Sequence, residues 1–249
     1  MERGRGYRGA RYGIAVLAGA LLVTGCASGV AETAGQGGSV VTPETTGPVE
    51  VDAGQADGAL LSATTAGDAG AVRAALNQRA RVDTRDSAGR TPLMIAVLDD
   101  NVGVARVLLE FGADPNATDN RGESPWVNTG VTGSVAMMEA LLPARPDLTL
   151  RNRFGGNALI PAAEKGHLDF VREVLRQTDI EIDHINDLGW TALLEAVYYG
   201  DGSTVYRDIA RVLVDHGADV TIRDANGRTA YDHAVRRGFA DIAELVKLP

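Results

Sequence analysis

A pattern of turn and capping residues recurs about every 33 residues, and it constrains the fold more than any other feature of the sequence. Residues 86–118 (DSAGRTPLMIAVLDDNVGVARVLLEFGADPNAT) hold its most regular copy. Thr91 and Pro92 suit the start of a short helix that residues 99–101 interrupt. Gly112 suits the end of a second helix, because glycine adopts positive φ at little cost. Neither helix could bury its apolar face alone, so the pattern predicts helical pairs that stack.

Further copies follow in the same phase and define the rest of the chain. They begin at Asp86, Asp119, Asn152, Asn186 and Asp224. The turn glycine recurs as Gly89, Gly122, Gly155, Gly189 and Gly227, and the capping residue as Thr91, Ser124, Asn157, Thr191 and Thr229. Counting backward adds a less regular first unit, as is usual for a terminal repeat. The predicted units, numbered one to six, are residues 53–85, 86–118, 119–151, 152–185, 186–223 and 224–249.

With these repeats the chain resembles the ankyrin repeat family. The resemblance lies in RTPLMIAV, LLEFGADPNATD, GWTALLEAV, AAEKGHLDFV, LVDHGADVTIRD and NGRTAYDHA, and it covers residues 53–249. It implies an all-α solenoid of stacked helix-turn-helix units joined by β-hairpin-like loops. It also implies that a protein partner would contact the hairpin tips and the exposed side of each first helix.

The N-terminal segment has the features of a bacterial export signal. Residues 1–25 contain a basic stretch with four arginines and an apolar run at residues 14–23, IAVLAGALLV, that is too short to span a bilayer comfortably. The small residues before Cys26 resemble the lipobox of lipoproteins, which implies acylation of Cys26, and residues 26–52 are predicted to be a flexible tether. An ordinary signal peptide or an uncleaved anchor are the alternatives. We expect a lipoprotein anchored in the bacterial cell envelope, facing the periplasm or the cell exterior.

The charge balance argues against nucleic acid as the partner. The chain has a formal net charge of −9. Removal of residues 1–25, with four arginines and one glutamate, would leave 20 basic and 32 acidic residues, a net charge of −12. Binding to phosphates relies on a basic surface. We therefore expect a monomer that binds protein, with the membrane reached only through the lipid on Cys26.

The third unit departs from the pattern in its first helix. Gly130 and Gly133 are expected to lie inside this helix and to weaken it, since glycine costs about 1 kcal/mol relative to alanine in a helix interior. The unit is therefore predicted to be the softest joint of the stack. The alternative is that Trp126, which replaces the usual leucine, fills the core and compensates.

The fifth unit is the most unusual one. Residues 200–206 (GDGSTVY) are expected to lengthen the turn between its helices by about five residues. By phase, Trp190 lies at a hairpin tip, and Tyr198 and Tyr199 lie at the exposed end of the first helix. Trp and Tyr are enriched at binding hot spots, so these residues and Tyr206 are predicted to bind a partner. Alternatively, one or two of them pack on the insertion.

Other positions share the predicted partner-binding face. They are Leu98, Arg121, Arg153, Phe154 and Arg223. The arginines, with those of unit six, could form a positive stripe that steers an acidic partner. A mixed, solvated surface is the interpretation we favour.

The sequence contains no phosphate-binding glycine loop, nucleophile elbow or metal-binding spacing of Cys and His, so we expect neither an enzyme nor a cofactor. His167 follows a glycine as in the family's Gly-His pair, where the histidine is structural. Glu195 and His233 occupy corresponding positions of neighbouring units. A surface salt bridge between them is expected rather than an acid–base couple.

These observations predict an exported, lipid-anchored protein-binding module without catalytic activity. Two alternatives remain open at this level. One is a receptor for a small ligand or glycan that uses the aromatic residues of unit five. The other is an inhibitor or immunity-type partner of a secreted enzyme.

Overall fold

The computed structural model describes residues 53–247, and within them the fold is entirely helical. The helices are α1 (Ala53–Thr65), α2 (Ala69–Asn77), α3 (Pro92–Leu98), α4 (Val102–Glu110), α5 (Pro125–Thr132), α6 (Val135–Leu141), α7 (Leu159–Glu164), α8 (Leu168–Gln177), α9 (Ala192–Tyr199), α10 (Thr204–Asp215), α11 (Ala230–Arg237) and α12 (Ala240–Leu245). A 3₁₀ turn, Leu142–Ala144, follows α6. None of the helices in this part of the chain is both long enough and apolar enough to cross a membrane. The signal segment, Cys26 and the tether lie outside the described residues.

The helices form two layers, one from each half of the units. The odd-numbered helices α1 to α11 pack in sequence against one another, and the even-numbered helices α2 to α12 do the same. Each helix therefore contacts its partner within the unit and its counterparts in neighbouring units. Apolar side chains from all six units join in one hydrophobic core that runs from Ala56 to Val246. This arrangement confirms the predicted stacked solenoid.

The hydrogen bonding of the first residue in units two to six explains why this residue is always Asp or Asn. Its side-chain oxygen accepts hydrogen bonds from the backbone N–H groups two and four residues later, at 2.8–3.0 Å. The turn glycine between these donors has positive φ in every one of these units. The turns are hairpin-like in their bonding, although residues 53–247 contain no strand. Asp and Asn carry an acceptor on a short side chain that reaches both donors, which accounts for their recurrence at this position.

Four of the five predicted capping residues are confirmed as helix N-caps, whereas in unit four Ala158 takes the N-cap position of α7. The hydroxyls of Thr91, Ser124, Thr191 and Thr229 each accept a hydrogen bond from the N–H group three residues later. In unit four the Asn157 side chain accepts from the N–H groups of Leu159 and Ile160, at 3.2 and 3.4 Å. These bonds satisfy amides that a helix start leaves without partners.

The assignment of Gly133 to a helix interior is wrong. Gly133 is the C-cap of α5, with φ of 72°, and a Cβ added there would lie 2.3 Å from the ring of His167. Gly130 does lie inside α5, but a Cβ on it would be 1.9 Å from the carbonyl oxygen of Ala158 in unit four. Gly130 thus permits a close approach between units. The basis for a soft joint is correspondingly weaker, and Trp126 is fully buried in the core.

The insertion of unit five does not form a long loop. Residues 200–203 separate α9 from α10, whereas residues 99–101 separate α3 from α4. Helix α10 has 12 residues, compared with 9 in α4. Most of the added residues therefore extend the second helix, because residues 204–206 continue its helical hydrogen bonding. The expected lengthened turn is wrong in this respect.

Candidate functional site

The hairpin tip of unit five is held rigidly by Asn186. Its side-chain oxygen accepts from the N–H groups of Leu188 and Trp190, both at 3.0 Å. Its backbone N–H donates to the carbonyl oxygen of Trp190, also at 3.0 Å. Gly189 takes positive φ between them. Trp190 is consequently fixed at the point where the tip meets α9.

Helix α9 supplies the other exposed rings of this unit. Thr191 caps its N-terminus by accepting from the N–H group of Leu194 at 3.3 Å. Its last turn carries Tyr198 and Tyr199, which are 42 % and 51 % exposed. The exposure predicted for both tyrosines is therefore observed. Trp190 is half-buried against the core.

The three rings form one contiguous group, named here the aromatic cluster (Trp190, Tyr198 and Tyr199). Ring centroids are 4.2 Å apart for Trp190 and Tyr198, 5.5 Å for Trp190 and Tyr199, and 5.1 Å for the two tyrosines. Edge-to-face contacts of this kind are favourable for aromatic pairs. The ring of His233 from unit six lies 5.3 Å from that of Tyr198. The cluster is thus preformed and supported from the neighbouring unit.

Glu195 lies one helical turn before the two tyrosines and is only 4 % exposed. Its Oε1 accepts a hydrogen bond from Asn186 Nδ2 at 2.8 Å, which ties the hairpin tip to α9. Its Oε2 has no hydrogen-bond partner among the described residues. Burial, and next the negative charge of Glu164, raise the pKa of the Glu195 carboxyl to about 7, while the Asn186 bond opposes the shift.

The expected surface salt bridge between Glu195 and His233 is wrong. His233 is buried, and its Nε2 lies 2.8 Å from Oδ2 of Asp224 in its own unit. The two residues do occupy corresponding positions, but each bonds the first residue of its own turn. No hydrogen bond or ion pair joins the two side chains among the described residues.

Tyr206 does not belong to the exposed group. It is half-buried, and its hydroxyl donates to the carbonyl oxygen of Glu164 in unit four at 3.0 Å. Tyr206, itself part of the insertion, therefore packs back on unit four, and the partner-binding role predicted for it is not supported.

The three arginines of the predicted face each lie beside an acidic group. Arg121 bonds Asp119 at 3.0 Å, and Arg153 bonds Glu123 at 3.3 Å. Arg223 donates to the carbonyl oxygen of Gly227 at 2.7 Å and lies 3.8 Å from Asp232. The mixed, solvated surface that we favoured is what these ion pairs produce.

Apolar side chains at the neighbouring tips extend the exposed surface. Phe154 is 52 % exposed and carries the guanidinium of Arg153 over its ring at 4.6 Å. Leu188 is 54 % exposed. It follows Asp187, whose backbone N–H donates to the carbonyl oxygen of Phe154 at 3.0 Å. Sequence reasoning missed Leu188, although it occupies the same turn position as Phe154. Leu98, also predicted, is half-buried at the end of α3.

The described residues also bear on metal binding. Residues 53–247 contain no group of three or more His, Cys, Asp or Glu side chains placed to hold a metal ion. His167, whose Nε2 lies 3.2 Å from the carbonyl oxygen of Val131, has the structural role expected of it. The aromatic cluster instead offers large, rigid rings whose fixing costs little further entropy on binding.

Comparison with known proteins identifies the repeats. Family models described as ankyrin repeats match residues 76–125, 130–224 and 208–246. YahD of Escherichia coli (strain K12), an ankyrin repeat protein by name, is 36 % identical over 186 residues, which are 75 % of this chain and 92 % of YahD.

Solved structures agree with these matches. The crystal structure of EF0377, an ankyrin repeat protein, is 41 % identical with a TM-score of 0.74, and the alignment covers 76 % of this chain and 96 % of that one. An ankyrin repeat domain from Acinetobacter baumannii AYE is 39 % identical with a TM-score of 0.72, over 75 % and 95 % of the two chains.

Proposed function

The chain belongs to the ankyrin repeat family, and from this premise we propose that its repeat domain is a monomeric, non-catalytic module that binds a protein partner through the aromatic cluster. The observation that carries the proposal is the contact of Trp190, Tyr198 and Tyr199 in one exposed group. Phe154 and Leu188 on the adjoining tips add exposed apolar area. A few such anchors on a rigid frame are sufficient for useful affinity.

Crosslinking in intact cells followed by capture of the protein tests the binding surface. The double variant Trp190→Ala/Tyr199→Ala is compared with wild type and with Phe111→Ala, a matched control that removes an exposed ring outside the cluster. We expect a defined partner in the wild-type and control captures, reduced at least about tenfold in the double variant. Equal recovery from all three proteins would remove the cluster from the binding surface. Saturable binding of a glycan by the purified protein, with no captured partner, would favour the receptor alternative.

We further propose that the module is exported and held at the bacterial cell envelope by acylation of Cys26. The support is the sequence before Cys26, where an apolar run leads directly into small residues. Replacing Cys26 with Ser should abolish lipid labelling and move the protein from the membrane to the soluble fraction. Membrane association and processing unchanged in Cys26→Ser would contradict the lipid anchor.

A further inference from the structure

The unpartnered oxygen of Glu195 sets unit five apart from its neighbour. In unit six the corresponding pair, His233 and Asp224, joins a basic to an acidic side chain at 2.8 Å. In unit five Asn186 offers a neutral amide to one oxygen of Glu195 and leaves Oε2 without a partner. Buried polar atoms are satisfied in most proteins, and a buried carboxylate without a cation is costly. The site therefore lacks a positive group.

The Tyr199 ring lies in the field of this carboxylate. Glu195 and Tyr199 are four residues apart on α9 and share a helix face. Burial first, and then the charges of Glu195 and Glu164, raise the pKa of the Tyr199 hydroxyl. These negative charges disfavour the negatively charged phenolate form of Tyr199. For the same reason they favour a positively charged group next to its ring. Exposed aromatic faces attract cations in their own right.

Two basic side chains of unit six, Arg237 and His233, are already engaged. Arg237 donates to the backbone carbonyl oxygens of Val197 and Tyr198 at the end of α9, and its guanidinium lies 4.7 Å from the Phe239 ring centroid. His233 is bonded to Asp224. Within residues 53–247 Glu195 takes part in no ion pair. The described residues therefore leave the ionised form of Glu195 without a cationic partner.

We propose that the aromatic cluster with Glu195 beneath it recognises an arginine side chain of the protein partner. This inference rests on the proposed function and specifies the chemistry of the partner. The guanidinium would stack on the exposed tyrosine rings, with the buried carboxylate supplying the attracting charge. Arginine fits better than lysine because guanidinium is planar, weakly hydrated and suited to stacking on aromatic faces. The net charge of −9 also favours approach of a basic segment.

The test is a nuclear magnetic resonance titration with the tripeptide acetyl-Gly-Arg-Gly-amide. Its matched probe contains citrulline, which has the shape of arginine without the charge. The indole N–H of Trp190 reports on the site, and that of Trp126, fully buried in the core, is an internal control. We expect saturable shifts of the Trp190 signal with the arginine peptide, unchanged Trp126, and about tenfold weaker binding of the citrulline peptide.

Two variants separate charge from shape. Glu195→Gln keeps the acceptor for Asn186 but removes the charge, so we expect arginine binding about tenfold weaker than in wild type. Glu110→Gln neutralises a glutamate in unit two, outside the proposed binding surface, and should leave binding unchanged. Affinity should also rise between pH 6 and pH 8 in wild type, because the pKa of Glu195, raised to about 7, makes the carboxyl ionise in this range. Glu195→Gln should lack this rise.

Equal binding of the two peptides, no binding of either, or equal affinity of wild type and Glu195→Gln would overturn the inference. The proposed function is judged separately by capture of the partner. If Trp190→Ala/Tyr199→Ala loses the partner while Glu195→Gln retains it in full, the binding surface stands and arginine recognition fails. If the double variant retains the partner, the binding surface itself fails.

Discussion

At the scale of single residues, Glu195 combines two effects. Its bond to Asn186 holds the hairpin tip against α9, whereas its burial disfavours the charged form of its carboxyl. The first effect positions the aromatic cluster. The second makes the carboxyl harder to ionise in the folded state than in the unfolded chain.

Glu195→Gln should remove a pH dependence of stability. The raised pKa means that the folded state keeps its proton between pH 4.5 and about 7, while the unfolded chain has lost it. The free energy of unfolding of wild type, relative to the variant, should therefore fall as pH rises through this window, by up to about 3 kcal/mol. Urea denaturation of both proteins at several pH values between 4.5 and 8 measures the difference. A difference that stays constant with pH would refute this account of Glu195.

The sequence predicts only part of this residue-level chemistry. The phase of the repeats places Tyr198 and Tyr199 at an exposed helix end, and the structure agrees. It does not reveal that Glu195 is buried, since a carboxylate in an amphipathic helix is normally placed in water. The hydrogen bond of Glu195 depends on whether the first residue of the turn is Asn or Asp. The repeat pattern accepts both residues at this position, so the pattern does not predict the bond.

At the scale of elements, turns and caps are predictable because local chemistry determines them. Gly112 has φ of 83°, as its place after α4 predicts, and Thr91 caps α3. Local chemistry does not determine how the inserted residues of unit five divide between the turn and the second helix. Most of the insertion extends α10, where Tyr206 packs back on unit four in a contact between residues 42 positions apart. Long-range packing of this kind leaves no signal in local sequence.

Substitution of Gly130 by Ala tests whether helix propensity or packing against unit four determines the stability of α5. Propensity alone would make Ala stabilising by about 1 kcal/mol. The carbonyl oxygen of Ala158, 1.9 Å from the added Cβ, should instead make it destabilising by about 2 kcal/mol or more. Gly58→Ala in α1, where a Cβ meets nothing within 4 Å, is the control and should stabilise. Thermal or urea unfolding compares the three proteins, and stabilisation by both substitutions would show that units three and four do not pack closely at Gly130.

At the scale of the whole molecule, regular units build the frame and unit five carries the distinctive chemistry. Each unit contacts its neighbours through both helix layers, so the core is continuous and the surface is rigid. The regular copy at residues 86–118 defines the fold but has no exposed aromatic group like that of unit five. Family membership therefore explains the frame, and the departure from the pattern supports the choice of binding surface.

A photoactivated crosslinker introduced at single positions tests this central claim most directly. Benzoylphenylalanine replaces Tyr199 of the aromatic cluster or Phe111 at the end of α4, both exposed aromatic residues. Illumination of intact cells should give one defined protein adduct from position 199 and none, or at least about tenfold less, from position 111. The same adduct in equal yield at both positions, or an adduct from position 111 alone, would contradict partner binding at the aromatic cluster.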